Sequence, residues 1–384
     1  MSLLIKNGLV WLHEQEDYFK ADILIKHSKI KEVRPVIEGE KGIPVLDVRE
    51  GYILPGWIDC HTHLGIIEEA TGKIGVDNNE ISDPITPNLR AIDGVNPMDI
   101  AFKDAVRHGI TTVMSGPGSD NPVGGLNMAF KTAGRIIDQM VIKNPVGLKI
   151  ALGENPLTTY GADKKSPVTR MGTASLIREL FMQAQDYMSL KKADKVKKRD
   201  VKLEAVIPLL RGEIPLRAHA HRADDIITAV RIAEEFKIEK LVIEHGTEAD
   251  LIADYLFEKK VAVALGPMLT PRIKMELRNR NYASALKLMD SGLKVALITD
   301  HPYNSIEQLR TIAILAVAEG LSPKDALKCL TVNPAEILGC DDRIGRIAEG
   351  YDADLVVYDQ EPLSINAKVL QTIIDGKIVY SVKT

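Results

Sequence analysis

Cysteine is scarce in this sequence, and its few cysteines are widely spaced. The chain has only Cys60, Cys329 and Cys340, and no two of them form a C-x-x-C pair. Three scattered cysteines are too few for a disulfide framework, and thiolate zinc sites need clustered ones. We therefore expect free thiols, with neither a disulfide-rich scaffold nor a cysteine metal site.

An excess of one charge is also absent. The 49 basic and 53 acidic residues are mixed along the chain and leave a net charge of -4, which argues against nucleic acid and anionic membranes as partners. The basic run "KKADKVKKRD" is typical of a solvated helix end. No apolar run approaches the about 20 residues of a membrane span, and the N-terminus lacks the pattern of an export signal. We expect a soluble, cytoplasmic protein.

Hydrophobic residues, in contrast, are plentiful. They make up 45% of the 384 residues, which is enough for a large core. Short β-type runs fill residues 1–52 and return in residues 348–384, which predicts one small β domain formed by both termini. Between them, in residues 53–347, apolar strands alternate with amphipathic helical stretches. This alternation favours an α/β fold with a (β/α)8 TIM barrel, although an open doubly wound sheet has the same pattern.

Histidines and one aspartate stand at the ends of predicted strands in this central region. In a barrel those ends meet on one face, where active sites are built. His61 and His63 share a side of their strand because side chains at i and i+2 point the same way. Buried apolar strands rarely end in His or Asp without a partner for the side chain. The pattern therefore predicts a metal site, whose ligands are His61, His63, His219, His245 and Asp300.

The ligand types narrow the metal only loosely. Imidazole and carboxylate without thiolate suit a divalent ion, with zinc as the default and iron, manganese or cobalt as alternatives. Such an ion lowers the pKa of a bound water toward about 7 and polarises a substrate carbonyl. We expect Asp300 to take the proton of this water and deliver it to a leaving nitrogen. The number of ions, one or two, stays open.

These motifs resemble the amidohydrolase superfamily, and within it the imidazolonepropionase-like group. The resemblance covers nearly the whole chain and rests on "LPGWIDCHTHLG", "HGITTVMSG", "LRAHAH", "IEHG", "ITDHP" and the tail "GRIAEGYDADLVV". It implies a distorted (β/α)8 barrel with a small β-sandwich, a site of one or two metals, and hydrolysis at carbon-nitrogen bonds. Its ligand positions match His61 and His63 on the first strand, His219 on the fifth, His245 on the sixth and Asp300 on the eighth.

The resemblance also raises the question of a carboxylate that bridges two metals. Glu154 and a carboxylated Lys149, both in "GLKIALGENP", are the candidates. Glu154 is favoured slightly, because an acid at a strand end before Asn155-Pro156 has no evident packing role. A structural salt bridge is an alternative for Lys149. Within "HAH", His219 is assigned to metal and His221 to catalysis, by contacting the substrate or supporting a ligand.

The sequence favours hydrolysis over deamination. Deaminase-like members carry a glutamate three residues after the fifth-strand histidine, where this chain has Arg222. We expect hydrolysis of a C-N amide bond in a cyclic, imidazolone-like or small peptide-like compound, with Asp300, His245 and His221 as catalytic residues. Candidates for binding a substrate carboxylate are Arg222, Asn155, Tyr160 and Arg170.

Two alternatives are a deaminase of an aminated heterocycle and a non-catalytic barrel. The partner expected is a small-molecule substrate. The family tendency toward homo-oligomers leaves the oligomeric state open.

Overall fold

The computed structural model describes residues 2–382, which form two eight-stranded sheets and ten α-helices. The strands of the terminal sheet are β1 (Ser2–Leu12), β2 (Asp17–Lys26), β3 (Lys29–Arg34), β4 (Val45–Asp47), β5 (Tyr52–Pro55), β14 (Leu355–Tyr358), β15 (Val369–Ile374) and β16 (Lys377–Ser381). Those of the central sheet are β6 (Trp57–Thr62), β7 (Ile110–Ser115), β8 (Val123–Lys131), β9 (Val141–Ala151), β10 (Leu216–Ala220), β11 (Leu241–His245), β12 (Ala262–Leu265) and β13 (Val295–Leu297).

Helices surround the central sheet. They are α1 (Ala101–Arg107), α2 (Glu154–Gly161), α3 (Arg170–Lys192), α4 (Val201–Leu210), α5 (Ala223–Glu235), α6 (Ala253–Glu258), α7 (Ser284–Asp290), α8 (Leu309–Ala318), α9 (Pro323–Lys328) and α10 (Val332–Leu338). Helix α5 illustrates why they form: its apolar residues recur at helical spacing, and those that are buried face the sheet. Within residues 2–382, no helix is both long and apolar enough to cross a membrane.

The central sheet confirms the predicted barrel. Its strands follow the order β6 to β13 around a nearly closed cylinder, and the ends of β6 and β13 meet where the Asp300 amide donates to the carbonyl oxygen of His61 at 3.2 Å. The side chain of Asp59 strengthens this seam, because it accepts hydrogen bonds from the amide and the hydroxyl of Thr299 at 3.1 and 2.6 Å. Parallel neighbours place the carboxyl ends of most strands on one face.

One strand departs from the all-parallel pattern that the alternation predicts. Strand β8 runs antiparallel to both β7 and β9. Residues 116–122 and 132–140 connect it to these neighbours without an α-helix. Antiparallel strands can be joined by short loops, whereas parallel strands need a longer crossover. The sequence "VGGLNMAFK" is rich in glycine and gave no strand signal.

The terminal sheet combines strands from both ends of the chain, as predicted. Strand β5 links the two parts, pairing in parallel with β1 and antiparallel with β14. The hydrophobic core of the terminal sheet includes Ile5, Ile23, Ile53, Leu355 and Ile373, all fully buried. The division at residues 52 and 348 stays a prediction. All three cysteines are free and buried.

Two polar contacts join the terminal sheet to the barrel. The indole Nε1 of Trp57 donates to the hydroxyl of Tyr358 at 2.7 Å. Lys131, at the end of β8, forms buried ion pairs with Asp352, at 2.9 Å, and with Asp354. Both aspartates belong to the tail segment "GYDADLVV". Their negative charges compensate Lys131, because a buried charge without a partner is strongly destabilising.

Candidate metal centre and catalytic cavity

The predicted ligands lie together at the carboxyl ends of the barrel strands. His61 and His63 come from β6, His219 from β10 and His245 from β11, and Asp300 lies just beyond β13. Two sets of three side chains have ligand atoms within 4.8 Å of one another: His61, His245 and Asp300, and His219, His221 and His245. The two sets are adjacent because His245 belongs to both.

Two histidines, one of them outside the two sets, converge on the carboxylate of the first set. Oδ1 of Asp300 lies 3.1 Å from Nε2 of His61 and 3.4 Å from Nε2 of His63. Nδ1 of His63 faces the carbonyl oxygen of Gly116 at 2.8 Å, a contact that fixes the proton on Nδ1. The lone pair of Nε2 is therefore directed into the site, as metal-binding histidines require.

In the second set, three imidazole rings lie against one another. The ring centroids of His219 and His245 are 4.3 Å apart, and those of His221 and His245 are 4.8 Å apart. Backbone and hydroxyl groups orient two of the rings: Nδ1 of His245 faces the carbonyl oxygen of Gly266 at 2.9 Å, and Nδ1 of His221 faces Oγ1 of Thr247 at 2.7 Å. The structure thus gives His221 the same surroundings as the predicted ligands.

Burial keeps the second set uncharged. Desolvation lowers the pKa of His219 and of His221 well below the ordinary value, and lowers the pKa of His245 to about 3. Burial alone would raise the pKa of Asp300, but His245, His61 and His63 outweigh it and hold that pKa well below its usual range. Neutral imidazoles in the second set beside an ionised carboxylate are the protonation states that a divalent metal requires. For His61, burial would lower the pKa, but Glu244 and Asp300 outweigh it and raise that pKa.

The residues present therefore fit a divalent cation. His219 is 3% exposed, and within residues 2–382 neither of its ring nitrogens has a hydrogen-bond partner. Buried polar atoms are nearly always paired, so two unpaired nitrogens aimed at other ligand atoms indicate a missing partner such as a metal ion. The donor set of imidazoles and one carboxylate suits zinc, iron, manganese or cobalt.

The backbone at the site is strained at two of these residues. His245 and Asp300 both have left-handed conformations, with φ of 76° and 56°. Left-handed backbone costs a non-glycine residue roughly 1–3 kcal/mol and is concentrated at functional sites. His245 is the last residue of β11 and Asp300 lies three residues beyond the end of β13, so both side chains stand at the mouth of the barrel.

A charged layer that the sequence analysis missed lies directly beneath the metal centre. Glu244 is fully buried, with Oε1 at 2.9 Å from Nδ1 of His61 and at 2.7 Å from Nε of Arg217, while Oε2 pairs with Lys149. Burial would raise the pKa of Glu244, but His61, Lys149 and Arg217 outweigh it and hold that pKa well below normal. The sequence signal was an acid within the apolar strand "LVIEH". Glu244 therefore faces His61 as a close charged neighbour, while Nδ1 of His61 makes no hydrogen bond among residues 2–382. Lys149 has the structural salt bridge considered as its alternative role.

A cavity of about 350 Å³ opens above the metal centre. His63, His219, His221, His245 and Asp300 form its floor, and polar residues stand among apolar ones in the rest of the lining, with Asn78, Asn79, Ser119, Asn155, Thr158, Thr159 and Thr270 among them. Lys149, Glu154 and Asn155, all predicted from sequence, also line the cavity. Glu154 begins α2 on the cavity wall, outside the two sets of ligand atoms, and Asn155 lies beside it.

The loop after β12 supplies two charged groups that sequence reasoning also missed. Oε1 of Glu276 lies 3.8 Å from Nε2 of His219 and 3.7 Å from Nε2 of His221, and 2.7 Å from Nζ of Lys274. Lys274 also donates to Oδ1 of Asn155 at 3.1 Å. Burial would raise the pKa of Glu276, but His221 and Lys274 outweigh it and lower that pKa. Neither residue ends a strand, so no periodic signal marked them.

Three of the predicted substrate-binding side chains do not line the cavity, which corrects that assignment. Arg222 is paired with the neighbouring Asp224 at 2.8 Å, and Arg170 is paired with Asp225 at 3.1 Å. The hydroxyl of Tyr160 donates to Oδ1 of Asn121 at 2.7 Å. Each side chain has a partner within the fold that already satisfies it.

Comparison with known proteins agrees with this architecture. A model described as the amidohydrolase family matches residues 52–379. The crystal structure of an amidohydrolase from Thermotoga maritima superimposes with a TM-score of 0.96 and 43% identity, covering 99% of this chain and 100% of that one.

Two curated relatives match almost the whole chain at lower identity. Amidohydrolase tasK of Hapsidospora irregularis is 28% identical over 97% of this chain, which spans only 42% of the length of tasK. The imidazolonepropionase of Thermoplasma acidophilum is 25% identical, over 95% of this chain and 90% of that protein.

Proposed function

The chain belongs to the amidohydrolase family, and on that premise we propose that it is a metal-dependent hydrolase that cleaves a C-N amide bond in a cyclic or small peptide-like compound. The observation that carries the proposal is the convergence of two sets of buried ligand atoms, His61, His245 and Asp300, and His219, His221 and His245. Their position on the carboxyl-terminal face of the barrel is the usual place of catalysis in this fold.

Two sets of side chains would hold metal. His61 and Asp300, with His63 beside them, would hold one divalent ion, and His219 and His221 a second, with His245 within reach of both. A divalent ion bound there supplies a Lewis acid that polarises the scissile carbonyl and makes water nucleophilic near neutral pH. Zinc is the default metal, and the donor set also accepts iron, manganese or cobalt.

Asp300 is the group that moves the proton. Its Oδ1 is engaged by His61 and His63, whereas Oδ2 is 4.0 Å from Nδ1 of His245 and is the freer oxygen. Ionised by its neighbours, Asp300 accepts a proton from the attacking water at Oδ2 and releases it to the nitrogen of the broken C-N bond. This nitrogen departs as an amine from a peptide-like compound and becomes the free amino end of the opened ring from a cyclic one. The left-handed backbone at Asp300 fixes this orientation.

The cavity restricts the substrate to a small molecule. A volume of about 350 Å³ lies at the small end of the range for ligand pockets, roughly 300–1,000 Å³. Carboxamide and hydroxyl groups on the walls, such as Asn79, Asn155 and Thr270, match the donors and acceptors of an amide compound. Lys274, on the same wall, provides a cation beside Asn155 that would face a substrate carboxylate.

The test pairs metal analysis with activity. The protein, purified without chelators or a histidine tag, is expected to hold one to two equivalents of divalent metal, and the double substitution His61→Ala/His63→Ala is expected to reduce that content. His108→Ala is the matched control, because His108 is exposed and bonds only to the carbonyl oxygen of Asp104.

Activity is then measured as the formation of new amino groups from a panel of cyclic amides and dipeptides. Asp300→Asn is expected to lower turnover by roughly 10²–10⁴-fold. The substitution Asp290→Asn, at an exposed position, is expected to leave turnover unchanged. A protein that takes up no metal after reconstitution with zinc, manganese or iron would refute the proposal. So would release of ammonia from aminated heterocycles with no cleavage of any amide.

A further inference from the structure

The loop that follows β12 has a second face, directed away from the catalytic cavity. Pro267, Lys274 and Leu277 of this loop line the catalytic cavity. Its other side forms a separate cavity of about 320 Å³, lined in part by Arg272, Arg278 and Arg280. We call this cavity the arginine pocket.

The arginine pocket concentrates positive charge without acid to balance it. Its remaining lining residues are Met268, Asn279, Asn281 and Tyr282, which carry no charge. Across residues 2–382, no carboxylate oxygen lies within 4 Å of a nitrogen of the three guanidinium groups. Glu248 is an acid that contacts the pocket through Asn279, and its oxygens already accept hydrogen bonds from the side chain of Asn279 and from the backbone amide of Ala223.

Arg280 has hydrogen-bond donors that nothing in the described chain satisfies. Its Nε and Nη1 are buried from solvent and have no acceptor among residues 2–382. The guanidinium lies 5.5 Å from the ring centroid of Tyr282, which holds the plane of the group in place. Leaving a charged donor desolvated and unpaired costs several kcal/mol unless an acceptor arrives, so this geometry points to an anionic ligand.

Arg272 gives the pocket a fixed frame. Its Nε donates to the carbonyl oxygen of Arg278 at 3.0 Å, and its Nη2 donates to that of Arg280 at 2.9 Å. These bonds fold the loop back on itself and bring the other two arginines to the same cavity. A guanidinium presents a planar fork of N-H donors that matches the oxygens of phosphate and carboxylate groups.

We propose that the arginine pocket binds a small, doubly charged oxyanion, either a phosphate or a dicarboxylate. The arginine pocket lies outside the catalytic cavity and does not depend on the hydrolase proposal, although Arg280 also borders a small space that it shares with His245. Because Nε and Nη1 of Arg280 are closed to solvent, a bound oxyanion accepts hydrogen bonds from them once the guanidinium turns toward the pocket, and it is neutralised further by Arg278. Asn281 adds an uncharged group to the lining.

The test is calorimetric titration of the metal-containing protein with sodium phosphate and, in a second arm, with sodium succinate, at an ionic strength kept constant with sodium chloride. One equivalent of at least one anion is expected to bind, and the tighter arm identifies the ligand class. Arg280→Gln is expected to weaken that binding at least tenfold. Arg135→Gln, which removes an exposed arginine outside the pocket, is expected to leave the affinity within twofold.

Two further variants keep the test decisive. Arg278→Gln removes an exposed charge with little risk to folding and is expected to weaken binding severalfold. Arg280→Lys retains the charge but loses the fork, and is expected to bind less tightly than the native protein. Equal affinity in all variants would place the anion elsewhere, the metal centre included, and would overturn the proposal, as would binding of neither anion. Because the readout is binding, its failure is separable from failure of the proposed hydrolysis.

Discussion

Substitution of Glu244 by glutamine tests whether the charged layer under the metal centre positions His61. The substitution conserves shape but removes the negative charge that faces Nδ1 of His61 at 2.9 Å and Nε of Arg217 at 2.7 Å. Carboxylates behind metal-binding histidines fix the ring and raise its basicity, and their loss typically lowers metal affinity by 10–100-fold. We expect a similar loss here, equivalent to about 1.4–2.7 kcal/mol.

The same substitution has a separate effect on the metal-free protein. Glu244 is fully buried and compensates two buried cations, Arg217 and Lys149. Removing one partner of a buried ion pair costs about 3–5 kcal/mol, and we expect the lower end because the glutamine oxygen still accepts a hydrogen bond.

Two measurements separate these effects. Zinc affinity is measured by competition with a chromophoric chelator, and the free energy of unfolding by urea denaturation in EDTA. Glu258→Gln, at the exposed end of α6, is the matched control and should change neither quantity. If Glu244→Gln bound zinc within twofold of the native affinity, Glu244 would have no positioning role and the argument from the 2.9 Å contact would be wrong.

Three other substitutions test neighbouring parts of the structure. Asp352→Asn should lower stability at pH 7 by about 3 kcal/mol, since it leaves Lys131 with weaker compensation. Burial would raise the pKa of Asp352, but Lys131, Lys29 and Arg343 together outweigh it and lower that pKa. The stabilisation is therefore complete above the unfolded pKa of about 3.9 and is lost as the pH falls through the lower pKa of the folded state. Denaturation at pH 7 and at pH 3 should thus show a difference between variant and native protein that shrinks with acid, and a constant difference would contradict the ion pair. Tyr358→Phe removes the acceptor of the Trp57 indole and should lower the free energy of unfolding by about 1–2 kcal/mol in urea denaturation. An unchanged midpoint would show that this hydrogen bond does not stabilise the fold. Thr247→Val removes the hydroxyl that orients a buried histidine, and chelator competition should reveal a roughly tenfold weaker metal site; native affinity would exclude this hydroxyl as an orienting group.

The sequence by itself determined the barrel and predicted most of the residues of the candidate metal centre. Apolar strands that alternate with amphipathic helices indicated an α/β fold, and family motifs selected the barrel over an open sheet. The strand-end positions of His61, His219, His245 and Asp300 were legible because parallel strands place their carboxyl ends on one face. Strand β8 escaped prediction, since its glycine-rich sequence carries no alternating pattern.

Only the tertiary structure decided which polar side chains share a partner. Arg222 and Arg170 have the chemistry to bind a carboxylate, but their own neighbours on the chain or in the fold, Asp224 and Asp225, already occupy them. Glu244 contacts His61 from a neighbouring strand, and Glu276 lies near His219 from a loop. Neither contact can be read from the sequence, because the partners are far apart along the chain. Sequence periodicity reports which face of an element is buried, whereas a hydrogen bond or ion pair between distant residues depends on distances that only the folded chain sets.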